Sequence, residues 1–163
     1  MRLALALLFA SLSFAAPAQA AEPGTAAPAF ALPTTSGETV SLAALRGRVV
    51  YVDFWASWCG PCRRSFPWMD AMQARYRSDG LSIVGINVDK RRADAERFLR
   101  DTPASFTIVY DAEGKTPAAY DVKGMPSSYL IDRQGNVVAV EEGFRDERRD
   151  DLEARIRALL ARH

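Results

Sequence analysis

Residues 48–55 read RVVYVDFW. The run is β-branched and aromatic and has no polar alternation, the pattern of a strand buried on both faces. Such a strand needs cover above and below, which points to a mostly parallel sheet wrapped by helices. LSIVGINVD at residues 81–89 is a second run of this kind, and FTIVYD at 106–111 a third. Between the first two, Phe66, Met69, Met72 and Tyr76 recur at helical spacing and Gly80 follows. This predicts a helix from about Cys62 to Ser78, kinked at Pro67. Residues 91–101 predict another, with Phe98 and Leu99 turned inward.

The flanks add smaller elements. FALPTTSGETVSL predicts a hairpin turning at Ser36-Gly37, with Phe30 and Leu32 on one arm and Val40 and Leu42 on the other. TPAAYDV is a short helix with Pro117 near its start. SSYLIDRQGNVVAVEEG is a strand, a turn and a strand, adding an antiparallel edge. The last stretch, from Asp146, carries Leu152, Ile156, Leu159 and Leu160 as one apolar helical stripe. With 163 residues, no internal repeat and no long linker, a single domain over residues 30–163 is expected.

The N-terminus differs from the rest. Arg2 precedes an apolar run from Leu3 to about Ala16, then Pro17 and the A-x-A pattern Ala18-Gln19-Ala20. Residues 1–20 read as a secretory signal peptide, with an uncleaved membrane anchor as the alternative. Residues 21–29, AEPGTAAPA, read as a flexible lead-in. The whole chain has 21 basic and 20 acidic residues, and loss of Arg2 would leave 20 of each. That balance speaks against nucleic acid, which needs a clustered basic face. RRADAERFLR is locally basic, but its acids make it a solvated helix face.

Both cysteines of the chain, Cys59 and Cys62, lie where the first strand ends and the helix begins. A disulfide across so short a loop restricts the unfolded chain little, so a structural staple is a weak reading. Zinc needs four ligands, and the only histidine is the terminal His163. No metal site is expected, and Cys-His catalysis is absent for the same reason. A redox couple fits best. A helix N-terminus favours a thiolate at Cys59, the attacking species in disulfide exchange. Arg63 and Arg64 would add positive charge. Cys62, one turn in, would be more buried and resolve the mixed disulfide, with Gly60-Pro61 allowing the tight turn.

VDFWASWCGPC resembles the active site of the thioredoxin superfamily. The wider chain is similar to the exported TlpA/ResA/CcmG-like thiol-disulfide oxidoreductases. The similarity rests on AFALPTTSGETVSLAALRGRVVYVDFWASWCGPC, SIVGINVD and GMPSSYLIDRQGNVV, and covers about residues 26–160. It implies an α/β thioredoxin-like fold: a central mixed sheet flanked by helices, with an N-terminal β-hairpin and an inserted α/β segment. By the same resemblance Cys59 is the exposed nucleophile and Cys62 the resolving cysteine. Pro126 is a cis-proline that leaves the Met125 backbone open for pairing with a substrate, and Trp58 flanks the nucleophile. Asp53 matches the buried acid of cytoplasmic thioredoxins. Burial would raise its pKa and let it take the Cys62 proton. Two positions depart from relatives: Ser65 where exported reductases often carry Glu, and Gly85 where thioredoxins carry a Lys.

The resemblance implies no cofactor beyond the cysteine pair. The expected partners are client proteins with cysteine pairs, such as apocytochrome c or a copper-site protein, and a membrane thiol electron donor. A periplasmic monomer is expected. Gly-Pro between the cysteines resembles the reducing end of the superfamily. Thioredoxin lies at about −270 mV and the oxidant DsbA near −120 mV, roughly 7 kcal/mol apart for two electrons. The leading expectation is a disulfide reductase. The alternatives are a thiol oxidase or isomerase, a thiol peroxidase, and a non-enzymatic copper-handling module using the pair as soft ligands.

Overall fold

The computed structural model describes residues 21–162. The expected signal segment, residues 1–20, and His163 lie outside them. The strands are β1 (Ala31–Pro33), β2 (Thr39–Ser41), β3 (Val49–Trp55), β4 (Leu81–Asn87), β5 (Thr107–Tyr110), β6 (Ser127–Ile131) and β7 (Val137–Glu142). The helices are α1 (Gly60–Tyr76), α2 (Arg92–Asp101), α3 (Lys115–Ala119) and α4 (Arg149–Leu160). β1 and β2 form a separate antiparallel hairpin. The other five make one sheet in the order β5-β4-β3-β6-β7, parallel from β5 to β3 and antiparallel at β6 and β7. This is the thioredoxin-like α/β architecture that the sequence implies, with α2 and β5 as the inserted segment.

All seven residues of β3 are buried, as a central parallel strand requires. Its side chains alternate between two cores. Val49, Tyr51 and Trp55 join buried residues of α1, α2 and α4, among them Phe66, Phe98 and Ile156. Val50, Val52 and Phe54 join Phe30 and Leu42 of the hairpin region and Tyr120. By the same parity Asp53 faces the α1 side.

α1 starts two residues before the expected position. Cys59 is its N-cap, extended at φ −84°, ψ 103°, and its Sγ accepts the N–H of Cys62. Pro61 in the first turn has no N–H to leave unpaired. α1 runs on through Pro67, which offers no N–H to the preceding turn.

Residues 21–29, expected to be a flexible lead-in, are instead held against the sheet. Gly24 N–H donates to Val137 O at 2.9 Å, Val137 N–H to Thr25 O at 2.8 Å, and Ala27 N–H to Gly135 O at 3.0 Å. Ala21 is buried in the hairpin-side core. The physical reason is that β7 is an edge strand with free backbone groups, and the lead-in pairs with them. At the other edge, Thr34 bridges to Val109 of β5.

Candidate active site

The site gathers where three segments meet at one end of the sheet. β3 leaves the sheet at Trp55 and turns through residues 56–59 into α1. β6 enters at Ser127, paired with Phe54, so the chain just before β6 emerges beside that turn. Asp89, just past the end of β4, fixes the turn. Its carboxylate accepts the Ser57 N–H at 2.9 Å and the Ser57 hydroxyl at 3.0 Å, and is itself held by Asn87 Nδ2 at 2.8 Å. Asp89 was missed in the sequence, because only folding brings it to Ser57.

Cys59 and Cys62 form a disulfide, with Cα atoms 5.4 Å apart. The Cys62 N–H donates to Cys59 Sγ at 3.2 Å. The expectation of an exposed Cys59 needs correction: it is 3% exposed and Cys62 0%. Its sulfur is bonded to one neighbour and faces the N–H of the first turn, so little surface is left. The exposed group is Trp58, at 71%. Gly60 needs neither left-handed backbone nor room, since a Cβ there would meet nothing within 4 Å. The site is bare at that point.

The peptide bond between Met125 and Pro126 is cis. The Pro126 carbonyl accepts Gly143 N–H at 2.8 Å. Met125 has no such backbone bond among the described residues. Arg63, expected to bring charge to the sulfur, turns toward α2: its guanidinium lies 4.5 Å from the Phe98 ring and donates to Thr102 Oγ1 at 3.3 Å. Ser65 is also occupied, its hydroxyl donating to the Cys62 carbonyl at 3.1 Å. It therefore cannot replace the carboxylate that relatives often carry there.

Asp53, the proton acceptor that the resemblance implies, is 1% exposed. It lies opposite Gly85 on β4 and Ser128 on β6. The Ser128 hydroxyl donates to Asp53 Oδ1 at 2.7 Å, while Oδ2 is buried without a partner. Burial pushes the carboxyl up to about 7 and the Ser128 bond pulls the other way. Gly85 also explains the missing lysine. A Cβ there would lie 3.0 Å from Phe106 and Ile108 and 3.1 Å from Trp55 Nε1, so apolar side chains and an indole fill that space. A group that is half ionised near neutral pH suits proton transfer. A disulfide at a helix N-terminus suits thiol exchange.

Three comparisons show the family and the fold. The Redoxin family model matches residues 22–156. The thiol-disulfide oxidoreductase ResA of Bacillus subtilis (strain 168) is 35% identical over 120 residues, 74% of this chain and 67% of that protein. ResA of Geobacillus kaustophilus (strain HTA426) is 31% identical over 136 residues, 83% of this chain and 77% of its own length. Among solved structures, a candidate thiol:disulfide interchange protein DsbE from Chlorobium tepidum is 51% identical with a TM-score of 0.83. The match covers 86% of this chain and 99% of that one.

Proposed function

The chain belongs to the redoxin family, as a TlpA/ResA/CcmG-like thiol-disulfide oxidoreductase, and from that premise we propose that it is an exported reductase of client disulfides. Exchange between its cysteine pair and cysteine-containing proteins follows from the family. The direction of electron flow, the compartment and the identity of the client are our reading.

One observation carries the direction. The Cys59 sulfur accepts a single backbone N–H and, among the described residues, no hydrogen bond from a side-chain cation, the Arg63 guanidinium being turned to Phe98 and Thr102. A thiolate with so little support is a good leaving electron source, because strong oxidants stabilise their reduced form. The buried Asp53, once ionised, opposes a second negative charge nearby.

The residues then take these roles. Cys59 attacks the client disulfide as thiolate and forms a mixed disulfide. Asp53 takes the Cys62 proton, and Cys62 attacks Cys59 to release the reduced client. Trp58 offers an apolar surface beside the sulfur, and the Met125 backbone, next to the cis Pro126, offers strand-like pairing to the client. The redox-active pair is the only cofactor this chemistry needs. The oxidised site must be reduced again by a dithiol donor, which in an oxidising compartment has to draw electrons across the membrane. Clients of the apocytochrome c or copper-site type, both presenting close cysteine pairs, fit this chemistry, and a monomer suffices for it.

The test is trapping. Cys62→Ser leaves the attacking thiol but removes the resolving one, so it should hold clients as mixed disulfides, while Cys59→Ser should hold none. Reduced protein should then convert a client disulfide to dithiol stoichiometrically. Failure to transfer electrons to any protein disulfide, with Cys59→Ser trapping as well as Cys62→Ser, would refute the reading.

A further inference from the structure

The sheet lines up a polar row beside the site. Asp53 pairs with Ser128 across β3 and β6, and Ser128 pairs with Glu141 across β6 and β7. Directly opposed residues of antiparallel strands share a face, with Cβ atoms about 5 Å apart. The row therefore runs Asp53, Ser128, Glu141 on the α1 side of the sheet. Its inner end is closed, since Oδ2 of Asp53 is buried without a partner. Its outer end is open to water: the Glu141 side chain is 16% exposed and accepts Arg148 Nη2 at 2.9 Å. Arg148 in turn bonds Asp151 at 3.3 Å. Above the row stands the Tyr51 ring, edge-on to Trp68 at 5.7 Å, with Trp68 against Phe144 at 5.9 Å. Tyr51, 2% exposed, lies within the influence of Ser128 and feels the charges of Asp53 and Glu141.

This arrangement meets a need that the proposed mechanism creates. Each resolving step leaves a proton on a carboxyl that has no contact with solvent, under a surface that the client covers. The titratable and charged groups along the row are Tyr51 on the strand of Asp53, Glu141 on β7 and Arg148, which meets Glu141 ahead of α4; α1 brings Cys62, the proton source of the proposed step. β4 contributes Gly85 and β6 the Ser128 hydroxyl. The Ser128 and Glu141 direction leads to a side chain that reaches solvent, at 16% exposure.

We propose that Ser128 and Glu141 are positioning residues that connect the Asp53 carboxyl to solvent, sideways along the sheet. The proposal rests on Asp53 being the acceptor of the Cys62 proton. In the resolving step the Cys62 S–H bond breaks and its proton goes to the Asp53 carboxylate. The Cys62 sulfur bonds to Cys59 Sγ, the bond from Cys59 to the client breaks, and the client thiolate leaves with the electron pair. Asp53 then passes its proton to Ser128 Oγ, Ser128 passes its own hydroxyl proton to Glu141, and Glu141 releases it to water. The only oxidant is the client disulfide and the only reductant is the dithiol of the site.

The test measures the rate of mixed-disulfide resolution across neutral pH in full-length protein, with and without added imidazole as a mobile proton carrier. Asp53→Asn should lose the pH step near neutrality and about 10²-fold in rate. Ser128→Ala and Glu141→Gln should each lose about tenfold, a part of what a positioned base supplies. Imidazole should restore much of that rate in both, and Ser128→Thr, which keeps the hydroxyl, should restore it without imidazole. A purely structural role would not respond to imidazole. If Ser128→Ala and Glu141→Gln keep the parent rate and pH profile while Asp53→Asn is slow, the row is refuted and the Asp53 reading stands. If Asp53→Asn also resolves at the parent rate, the Asp53 reading itself falls.

Discussion

The two faces of β3 are built to different rules. On the hairpin side Val50, Val52 and Phe54 meet an aromatic cluster in which Phe54 lies 5.3 Å from Tyr120 and 5.8 Å from Tyr129. Both tyrosine hydroxyls are used: Tyr120 donates to Pro28 O at 2.8 Å and Tyr129 to Tyr120 O at 2.7 Å. On the α1 side the same strand buries Asp53 Oδ2 and Trp55 Nε1 without partners. A buried polar group left unpaired costs about 1–3 kcal/mol, more if charged. The hairpin face is thus finished as packing, while the α1 face gives up stability next to the disulfide. In the proposed mechanism this orphan carboxylate oxygen is the one left free to take the Cys62 proton.

The contrast can be broken at several points. Phe54→Ala, on the packed face, should cost about 3–5 kcal/mol in denaturant unfolding, through lost contacts and a cavity. Its exchange rate per folded molecule should stay at the parent value. Asp53→Asn should act in the opposite sense. The folded carboxyl sits at about 7 against an ordinary 3.8. Between those values the folded chain holds a proton that the unfolded chain has released, so stability falls as pH rises through that window and levels off above it. Asn removes this dependence. It should stabilise the protein above pH about 7 by at most about 4 kcal/mol, at about 1.4 kcal/mol per pH unit, and give nothing below pH about 4. Unfolding at both ends of that range, set beside the slowed resolution, checks whether stability and function trade at this residue. The smallest effect belongs to Tyr120→Phe. It removes one hydrogen bond, to Pro28 O, and should cost about 1 kcal/mol with no change in exchange.

Much of this was legible from local pattern. RVVYVDFW could only be a strand covered on both sides. The cysteine pair, Pro61 and the following apolar periodicity marked a helix start, and the resemblance correctly singled out Pro126 as cis. What escaped needed the register of several strands. Ser128 reads as one more strand residue, and Glu141 as a solvated charge, until β3, β6 and β7 are aligned. The pinned lead-in escaped because Pro, Gly and Ala signal a loop but not the free edge that catches it. Composition near Cys59 suggested charge from Arg63, yet the Phe98 ring takes that guanidinium. The burial of Cys59 likewise depends on the disulfide and the N-cap together, and neither is visible in spacing.

The proposed reducing role requires a Cys59 thiolate with little stabilisation, and the reduction potential tests that directly. The protein would be equilibrated against defined thiol-disulfide buffers, with Cys59→Ser as the control that cannot close the pair. The account expects a value near the thioredoxin end, at about −270 mV. A value near about −120 mV, the range of a strong oxidant, would contradict it and make the site a donor of disulfides.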